Sequence, residues 1–252
     1  MRDNTKRFSD RVDNYTKYRP SYPEDAIAWI LSKCESPRDK VFADIGSGTG
    51  IFSKLLIPNA KVIYGVEPNF EMRSAAEKDL NKYSNFVSIN GTAEKTNLDN
   101  ESIDHITVAQ AFHWFDQEKS FLEIKRILKK NGSIFLIWNL RRTNTEFMNS
   151  YESLLLKSSG DYRKASADNK VDFEGLARLM PRDFEVRSFY FEKAYEWADF
   201  VGRHNTSAYS PKELSGDNVR ILDNLKGIFD KHANRGMLSF FYETKIYFGK
   251  LA

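Results

Sequence analysis

The sequence predicts an α/β fold with a mostly parallel central sheet. From residue 41 to residue 138, short apolar runs alternate with stretches whose apolar residues recur at helical spacing, which is typical of parallel strands joined by crossover helices. The first apolar run leads directly into a loop with glycines at 46, 48 and 50. The chain has 252 residues, of which 41% are hydrophobic, so it is long and apolar enough to form one large domain.

The alternating part of the chain predicts five strands and the helices between them. The run 41–45 is apolar apart from one acid and predicts a buried strand, and 51–56 places its apolar residues on one helical face. The same reasoning predicts strands at 61–66, 86–89, 103–108 and 133–138, and helices at 70–83 and 116–130. Asn69 and Asp116 are suited to cap the last two helices, and the pair 131–132 is expected to end the second of them.

The flanking regions predict further helices and two more strands. Pro20 and Pro23 interrupt any helix that runs into them, and a packed helix is expected at 24–33. Helical patches are predicted at 146–157, 173–180, 195–203 and 217–233. A sixth strand is predicted at 183–191 and a seventh, rich in aromatic residues, at 237–248.

We expect one domain over residues 1–252, with four parts. Residues 1–40 form an N-terminal lid with helices, and residues 41–139 form the core that carries the glycine loop. Residues 141–182 are polar and form a helical insertion that covers the site. Residues 183–252 supply the strands and helices that complete the sheet.

Composition and charge exclude several classes of protein. The formal net charge is +3 with 29% charged residues and no block of like charge, so no nucleic-acid-binding tail is expected. Residues 1–20 lack the apolar stretch of a secretory signal, and an apolar run such as 134–138 is too short to span a membrane. Cys34 is the single cysteine, which suits a reducing cytosol, and the histidines show no metal-ligand spacing. We therefore expect a soluble cytoplasmic enzyme with no metal and no membrane partner.

The glycine loop predicts the cofactor. A buried strand, a loop that turns tightly on glycines and a helix N-terminus form a site for a nucleotide-like ligand. A dinucleotide fingerprint, G-x-G-x-x-G/A, would put its third small residue at Ile51, which is too bulky for close helix–strand contact. The spacing here is G-x-G-x-G, with Asp44 two residues before Gly46. It resembles motif I of the class I S-adenosylmethionine-dependent methyltransferases, so a nicotinamide oxidoreductase is the disfavoured alternative.

The resemblance covers residues 41–139 and includes Glu67 and the turn at 129–132. It implies a Rossmann-like sheet of seven strands, mostly parallel, with helices on both faces, an antiparallel last strand and a helical insertion or lid. It also implies that S-adenosylmethionine is the cofactor and S-adenosylhomocysteine the product.

Two carboxylates lead the candidates for cofactor binding. Asp44 lies in a buried strand, so it needs either backbone amides or a cationic ligand group, and the resemblance places it near the ammonium end of the cofactor. Glu67 lies about twenty residues past the first glycine, where an acid accepts ribose hydroxyls, although a solvated loop glutamate is the alternative. The expected cofactor-binding residues are Tyr15, Arg19, Asp44, Gly46, Ser47, Gly48, Gly50, Glu67, Pro68, Thr92, Ala93, Glu94, Gln110 and Ala111.

The segment 91–94 departs from the pattern of the resembled family. That family often has an acid at the second place of the segment, where this chain has Thr92, with Glu94 two residues further on. We expect the adenine of the cofactor to meet the backbone amide of Ala93, with Thr92 beside it. A plain surface turn is the alternative.

Aromatic residues and a histidine follow the fourth predicted strand. Residues 109–116 read Ala-Gln-Ala-Phe-His-Trp-Phe-Asp, at the edge of an open α/β sheet where ligands bind. An aromatic face attracts a cation such as a sulfonium. His113 is the candidate general base, and a structural hydrogen bond is the alternative role.

A finer resemblance concerns the methyl acceptor. Segments 18–23 and 111–115 together are similar to a subgroup related to trans-aconitate methyltransferases (methyltransferase type 11-like), which acts on small molecules that include carboxylic acids. A carboxylate acceptor is already ionised and needs no base, and Arg19, Arg141 and Arg142 would orient it through forked hydrogen bonds. The expected acceptor-side residues are Tyr18, Trp114, Asn139, Arg141 and Arg142.

The expected function is methyl transfer by in-line displacement to an oxygen or nitrogen atom of a small molecule, by a monomer or weak dimer. A non-catalytic cofactor-binding module and an RNA or protein methyltransferase are the alternatives. The nearly balanced charge disfavours a nucleic-acid substrate. Pyrimidine C5 chemistry is disfavoured too, because Cys34 precedes the glycine loop.

Overall fold

A seven-stranded sheet lies at the centre of the fold, in the order β3-β2-β1-β4-β5-β7-β6. The structure is a computed structural model that describes residues 12–158, 175–176, 179–181, 183–207 and 216–251. β1 to β5 pair in parallel, and β7 pairs antiparallel with both β5 and β6. The predicted sheet is therefore confirmed. The strands are β1 (Val41–Ile45), β2 (Val62–Val66), β3 (Phe86–Ile89), β4 (Ile103–Ala109), β5 (Leu128–Arg141), β6 (Glu185–Tyr195) and β7 (Leu238–Lys250).

Helices pack on both faces of the sheet, and the C-terminal helices also pack against the ends of β6 and β7. They are α1 (Val12–Tyr18), α2 (Glu24–Ser32), α3 (Ile51–Leu56), α4 (Phe70–Leu80), α5 (Gln117–Ile127), α6 (Glu146–Ser158), α7 (Trp197–Asn205) and α8 (Gly216–His232). Short 3₁₀ helices lie at Pro37–Asp39, Ile57–Asn59 and Phe112–Trp114. In the part of the chain that the structure describes, every helix is too short or too polar to cross a membrane.

Two predicted helix caps are confirmed. Asn69 Oδ1 accepts a hydrogen bond from Met72 N at 2.8 Å at the start of α4. Asp116 Oδ1 accepts one from Lys119 N at 3.2 Å at the start of α5. Each side chain satisfies a backbone N–H that has no partner within its own helix.

The boundary between α5 and β5 differs from the prediction. The helix was expected to continue to residue 130, but it ends at Ile127 and β5 begins at once with Leu128. Leu128 pairs with Ile103 of β4, so strand pairing replaces the last helical turn. Asn131 adopts the expected left-handed conformation, with φ 65°, but it does so inside the strand, where the β4–β5 register shifts.

The chain after β5 agrees with the prediction in part. α6 confirms the helix expected at 146–157, whereas half of the helix expected at 173–180 lies outside the described residues. β6 continues to Tyr195, which pairs with Leu238 of β7, so the helix expected from residue 195 begins at Trp197 instead. Strand pairing again decides the boundary.

Both faces of the sheet are buried, as alternate side chains of β5 show. Ile134, Leu136 and Trp138 contribute to the apolar core on one face, together with buried residues of α5. Phe135 and Ile137 contribute to the core on the other face, together with residues of α2 and α3. All five side chains are fully buried, which explains why this run is apolar throughout rather than alternating.

A third core lies between the C-terminal helices and the ends of β6 and β7. Here Phe240 packs its ring 4.9 Å from that of Phe147 and 5.8 Å from that of Phe200, between centroids. We call this core the aromatic cap. It is formed by α6, α7, α8 and the strand ends, and includes Phe147, Met148, Tyr151, Leu155, Tyr195, Phe200, Ile221, Leu225, Phe229, Leu238, Phe240 and Tyr242.

Helix α1 is fixed to the aromatic cap through α7. The ring of Tyr18 lies directly against Gly202, where an added Cβ would fall 2.3 Å from Tyr18 Cε2. Arg19 donates a hydrogen bond from Nη2 to the carbonyl oxygen of Thr206 at 3.0 Å. The N-terminal segment is therefore held in place by residues almost two hundred positions away in the chain, as the separation of 187 between Arg19 and Thr206 shows.

His105 makes the fold sensitive to acid. It is 8% exposed in β4 and lies 2.7 Å from Ser133 Oγ through Nδ1. Burial lowers the pKa of this imidazole from 6.5 to about 4. Between pH 6.5 and about pH 4, the imidazole is protonated in the unfolded chain but neutral in the folded chain. Stability that is present above pH 6.5 is therefore lost as the pH falls towards 4.

We expect His105→Gln to reduce this acid sensitivity. Between pH 7.5 and pH 5, the wild-type chain should lose about 2 kcal/mol more unfolding free energy than the variant. Urea unfolding at the two pH values measures the difference. An identical loss in both proteins would contradict the assignment.

Candidate functional site

A cleft opens at the carboxyl ends of β1 and β4. β1 lies between β2 and β4, so the strand order reverses there, and ligands of open α/β sheets bind at this point. Of the predicted site residues, the cleft is lined by Tyr15, Arg19, Asp44, Gly46, Ser47, Gly48, Gln110 and Asn139. It is also lined by Pro20, Tyr22, Thr49, Ile51, Phe52, Ala109, Arg203 and Tyr242.

The glycine loop presents backbone to the cleft. Gly46 and Gly48 have φ values of 72° and 56°, in the left-handed region that favours glycine. A Cβ on Gly46 would fall 2.6 Å from the Cβ of Ala111, whereas a Cβ on Gly48 would meet no atom within 4 Å. Gly46 is therefore required for packing, and Gly48 borders open space in which a ligand can approach the chain.

Asp44 is a buried carboxylate at the base of the cleft. It is 1% exposed and accepts hydrogen bonds from Ser53 Oγ at 2.6 Å and Thr107 Oγ1 at 3.1 Å. Burial raises its pKa from 3.8 to about 6, against the opposing effect of these two hydroxyls. A positively charged ligand group would stabilise the ionised form, so the residue suits the amine of an amino-acid moiety.

Glu67 connects the end of β2 to the glycine loop. Its Oε2 accepts a hydrogen bond from Gly48 N and its Oε1 accepts one from Asn69 N, both at 2.9 Å. Burial raises the pKa of this carboxyl group, and the two amides oppose the shift. Each oxygen keeps capacity for a further donor, so the residue can also accept ribose hydroxyls beside Gly48.

Gln110 and Asn139 join the ends of β4 and β5. Gln110 has a φ of 58°, which is uncommon for a residue with a side chain, and its Nε2 donates to the carbonyl oxygen of Asn139 at 3.0 Å. The Asn139 side chain donates to Ser21 O at 3.1 Å and accepts from Thr244 Oγ1 at 2.6 Å. Asn139 thus ties the N-terminal segment and β7 to the same edge of the cleft.

Several predicted cofactor residues lie behind the cleft lining. Gly50 precedes α3 in the left-handed conformation, and Ala111 packs behind Gly46. Pro68 separates Glu67 from Asn69, and its carbonyl oxygen accepts a hydrogen bond from Arg73.

The segment after β3 forms a turn away from the cleft lining. Thr92 and Lys95 exchange backbone hydrogen bonds, and Ala93 is buried in the core. Glu94 Oε1 accepts from Asp116 N at 2.9 Å, so this carboxylate supports the start of α5. The adenine contact expected here remains a prediction.

The predicted base and its neighbour do not line the cleft. His113 Nδ1 accepts a hydrogen bond from Trp138 Nε1 at 3.3 Å, and its ring lies 4.9 Å from that of Trp114. Both residues belong to the 3₁₀ helix after β4. We therefore propose no base role for His113.

Three predicted acceptor-side residues are also placed elsewhere. Tyr18 packs against α7, as described above. Arg141 lies 3.0 Å from Glu152 Oε1 in an ion pair of low exposure, and Arg142 lies over the ring of Tyr190 at 5.3 Å. Of the three arginines expected to orient an acid, only Arg19 reaches the cleft.

Sequence reasoning missed four polar residues of the lining, which are Tyr22, Thr49, Arg203 and Tyr242. Thr49 is 3% exposed, and its hydroxyl has no hydrogen-bond partner in the part of the chain that the structure describes. Its place inside the glycine loop was a usable signal. Arg203 on α7 and Tyr242 on β7 reach the cleft through tertiary packing, and no local motif marks them.

The geometry fits S-adenosylmethionine. Asp44 is a buried carboxylate in the cleft lining, Glu67 accepts a hydrogen bond from the Gly48 backbone behind that lining, and Gly48 itself borders open space. In the described residues, no group of three or more His, Cys, Asp or Glu side chains is placed to hold a metal ion. Together with the order of the seven strands, this site defines a Rossmann-like methyltransferase.

Comparison with known proteins identifies the family. The family described as "Methyltransferase domain" matches residues 43–136. A Dictyostelium discoideum protein named as a methyltransferase is 36% identical over 217 residues, which cover 79% of this chain and 80% of the relative. The chain therefore belongs to the class I S-adenosylmethionine-dependent methyltransferases.

Other matches are partial or structural. An uncharacterized methyltransferase of Mycobacterium tuberculosis is 35% identical over 140 residues, which cover 56% of this chain and 55% of the relative, so the chain spans about half the length of such relatives. A solved structure named as a type II methyltransferase, from Anaeromyxobacter dehalogenans, superposes with a TM-score of 0.67 at 20% identity. That match covers 92% of this chain and 98% of the other, and it shows a shared fold.

Proposed function

We propose that this protein transfers the methyl group of S-adenosylmethionine, by in-line displacement, to an oxygen or nitrogen atom of a small molecule, with a carboxylic acid as the favoured acceptor. One observation carries the proposal. One cleft is lined both by Asp44 and the glycine loop, which suit the cofactor, and by Arg19, Asn139 and Arg203, which suit an anionic acceptor.

The chain's own residues would hold the cofactor at the carboxyl end of β1. Asp44 would bind the ammonium group, Glu67 the ribose, and the loop from Gly46 to Gly48 the backbone-facing side of the ligand. When bound, S-adenosylmethionine supplies an electrophilic methyl group, and its sulfur keeps the electron pair of the broken C–S bond while the acceptor atom forms the new bond. The protein's task is then to align the acceptor, which can contribute roughly 7–11 kcal/mol to lowering the barrier.

The lining favours an acceptor that arrives ionised. Among the described residues that line the cleft there is no histidine, and Asp44 is the only carboxylate. That carboxylate already accepts hydrogen bonds from Ser53 and Thr107. A carboxylate acceptor would need no proton removal, so it fits a site without an obvious base.

Helix α1 and the aromatic cap would exclude water from the reacting atoms. Tyr15 and Arg19 line the cleft from the N-terminal segment, and Arg203 and Tyr242 line it from the cap. Exclusion of water strengthens electrostatic interactions inside the site. We propose that the protein acts in the cytoplasm as a monomer or weak dimer, with no nucleic-acid or membrane partner. The single cysteine and the balanced charge support this.

Turnover tests the proposal against its alternatives. Purified protein is incubated with S-adenosylmethionine and, separately, with pools of organic acids, small amines and alcohols, total RNA and peptides, and S-adenosylhomocysteine is quantified. We expect release with a small-molecule pool, and with organic acids first. Cofactor binding without release in any pool would indicate a non-catalytic module, and release with RNA or peptides alone would indicate the macromolecular alternative.

A further inference from the structure

We propose that the hydroxyl group of Thr49 binds the carboxylate of the cofactor's amino-acid moiety. The inference deepens the proposed function and rests on it. Thr49 lies between Gly48 and Gly50, and it was not among the residues that the sequence predicted to bind the cofactor. Its role follows from the burial of its hydroxyl group at the wall of the cleft.

The Thr49 hydroxyl group is buried without a partner. The residue is 3% exposed, and its Oγ1 has no hydrogen-bond partner in the part of the chain that the structure describes. Leaving a buried hydroxyl group unpaired costs free energy, and most such groups in folded proteins are bonded. Among the described residues, the other buried threonines each donate a hydrogen bond of between 2.6 and 3.1 Å, and these are Thr96, Thr107, Thr206 and Thr244.

The position of Thr49 allows a ligand to supply the missing partner. The residue lines the cleft, as does Asp44. Gly48, directly before it, borders open space, since a Cβ there would meet no atom within 4 Å. Rotation about the Cα–Cβ bond of Thr49 is enough to direct the hydroxyl group towards a ligand that approaches the loop. A ligand in the cleft can therefore satisfy this group.

The lining of the cleft indicates which part of the cofactor lies there. Among the described residues that line it, Asp44 is present, whereas Glu67 and the turn at 91–94 are not. In the proposed function, Asp44 binds the ammonium group of the cofactor and Glu67 binds the ribose. The amino-acid moiety is then the part of the cofactor that lies beside Thr49.

The carboxylate is the strong hydrogen-bond acceptor of that moiety. An ammonium group only donates, and the sulfur atom is at best a weak acceptor. A threonine hydroxyl group donates one hydrogen atom, and its bond to an ionised carboxylate is stronger than a bond between neutral groups. Arg19 and Arg203 line the same cleft and suit the same negative charge. The carboxylate therefore fits both the unpaired donor and the charge of the lining.

One substitution should have opposite effects on the free protein and on ligand binding. Thr49→Val replaces the hydroxyl group by a methyl group of similar size, so it removes the unpaired group. We expect the free variant to melt about 2–4 °C higher than the wild type. Its affinity for S-adenosylhomocysteine should fall at least about tenfold. A threonine that served folding alone would lower the melting temperature when replaced.

A buried hydroxyl group that already has a partner provides the control. Ser133 of β5 is 1% exposed, and its Oγ lies 2.7 Å from His105 Nδ1. Ser133→Ala should therefore lower the melting temperature, while the affinity for S-adenosylhomocysteine stays within about twofold of the wild type. Thr49→Ser keeps the hydroxyl group and should retain most of the affinity. If Thr49→Val does not fold, Thr49→Ala takes its place.

A matched ligand tests the assignment to the carboxylate. Each protein is titrated calorimetrically, directly or by displacement, with S-adenosylhomocysteine and with its decarboxylated analogue, which keeps the amine and lacks the carboxylate. Thr49→Val should weaken binding of S-adenosylhomocysteine but leave binding of the analogue within about twofold, because the analogue offers the hydroxyl group no carboxylate.

The outcomes are distinct. Unchanged affinity of Thr49→Val for S-adenosylhomocysteine, or an equal loss for this ligand and its analogue, would overturn the inference and leave cofactor use intact. Failure of S-adenosylhomocysteine to bind the wild type would instead contradict the proposed function.

Discussion

Replacing Asp44 by asparagine is expected to lower the affinity for S-adenosylmethionine by roughly 10- to 100-fold, since a hydrogen bond to a charged group is worth about 1.5–3 kcal/mol. The variant keeps the shape of the side chain, and the hydroxyls of Ser53 and Thr107 can still bond to it. What it loses is the negative charge that would meet the ammonium group of the cofactor. Calorimetric titration of both proteins at pH 8 measures the loss.

The same substitution should stabilise the free protein at alkaline pH. Burial raises the pKa of Asp44 from 3.8 to about 6. A raised pKa means that stability present below pH 4 is lost as the pH rises through 6, so the ionised wild type carries a cost of about 3 kcal/mol at pH 8 that asparagine avoids.

Urea unfolding of the Asp44→Asn variant at pH 8 and pH 4 tests this trade between stability and binding. The variant should gain stability at pH 8 and lose the advantage at pH 4. Asp79→Asn, which removes an exposed partner of Lys54, is the control. It should change neither the unfolding free energy nor the affinity for S-adenosylmethionine appreciably. Wild-type affinity in the Asp44 variant would contradict the assignment of this residue to the cofactor.

The second large effect concerns the two glycines of the loop. Gly48→Ala should fold, at a cost of about 1–2 kcal/mol for a left-handed alanine, because its Cβ meets no atom within 4 Å. The added methyl group would occupy the open space of the cleft, so cofactor affinity should fall at least about tenfold. Thermal unfolding and calorimetry report the two quantities separately.

Gly46→Ala should lower the stability of the fold more than it lowers the affinity for the cofactor. Its Cβ would fall 2.6 Å from the Cβ of Ala111, so overpacking adds about 1–3 kcal/mol to the backbone cost. The double variant with Ala111→Gly should recover part of the lost stability, because the two sites are coupled by contact. Equal loss of stability in Gly46→Ala and Gly48→Ala would contradict the geometry of the loop.

The part of the site that lies beside the glycine loop was predictable from local sequence. Asp44, Gly46 and Gln110 follow or end neighbouring parallel strands, and the carboxyl ends of such strands meet at one edge of the sheet. Knowing the strands was therefore enough to place these residues at a common cleft. The helix boundary at 128–132 was not predictable in this way, because pairing of Leu128 with Ile103 overrides the local preference.

The part of the cleft lining supplied by Arg203 and Tyr242 depends on tertiary packing, and sequence proximity was misleading there. Arg141, which lies three residues after the fifth predicted strand, was expected to orient an acid through forked hydrogen bonds. β5 continues through Arg141, however, and carries its side chain past the cleft to Glu152 of α6. Arg203 takes a place in the cleft instead, because α7 packs against α1. The local sequences of α1 and α7 do not predict that the two helices pack against each other.

Parallel calorimetric titration of the wild-type protein with S-adenosylmethionine, S-adenosylhomocysteine and NAD is the most direct measurement of cofactor identity. The spacing of the glycine loop, the buried Asp44 and the family membership predict micromolar binding of the first two ligands and none of NAD. Binding of NAD alone would contradict the assignment of the cleft on which the proposed function depends.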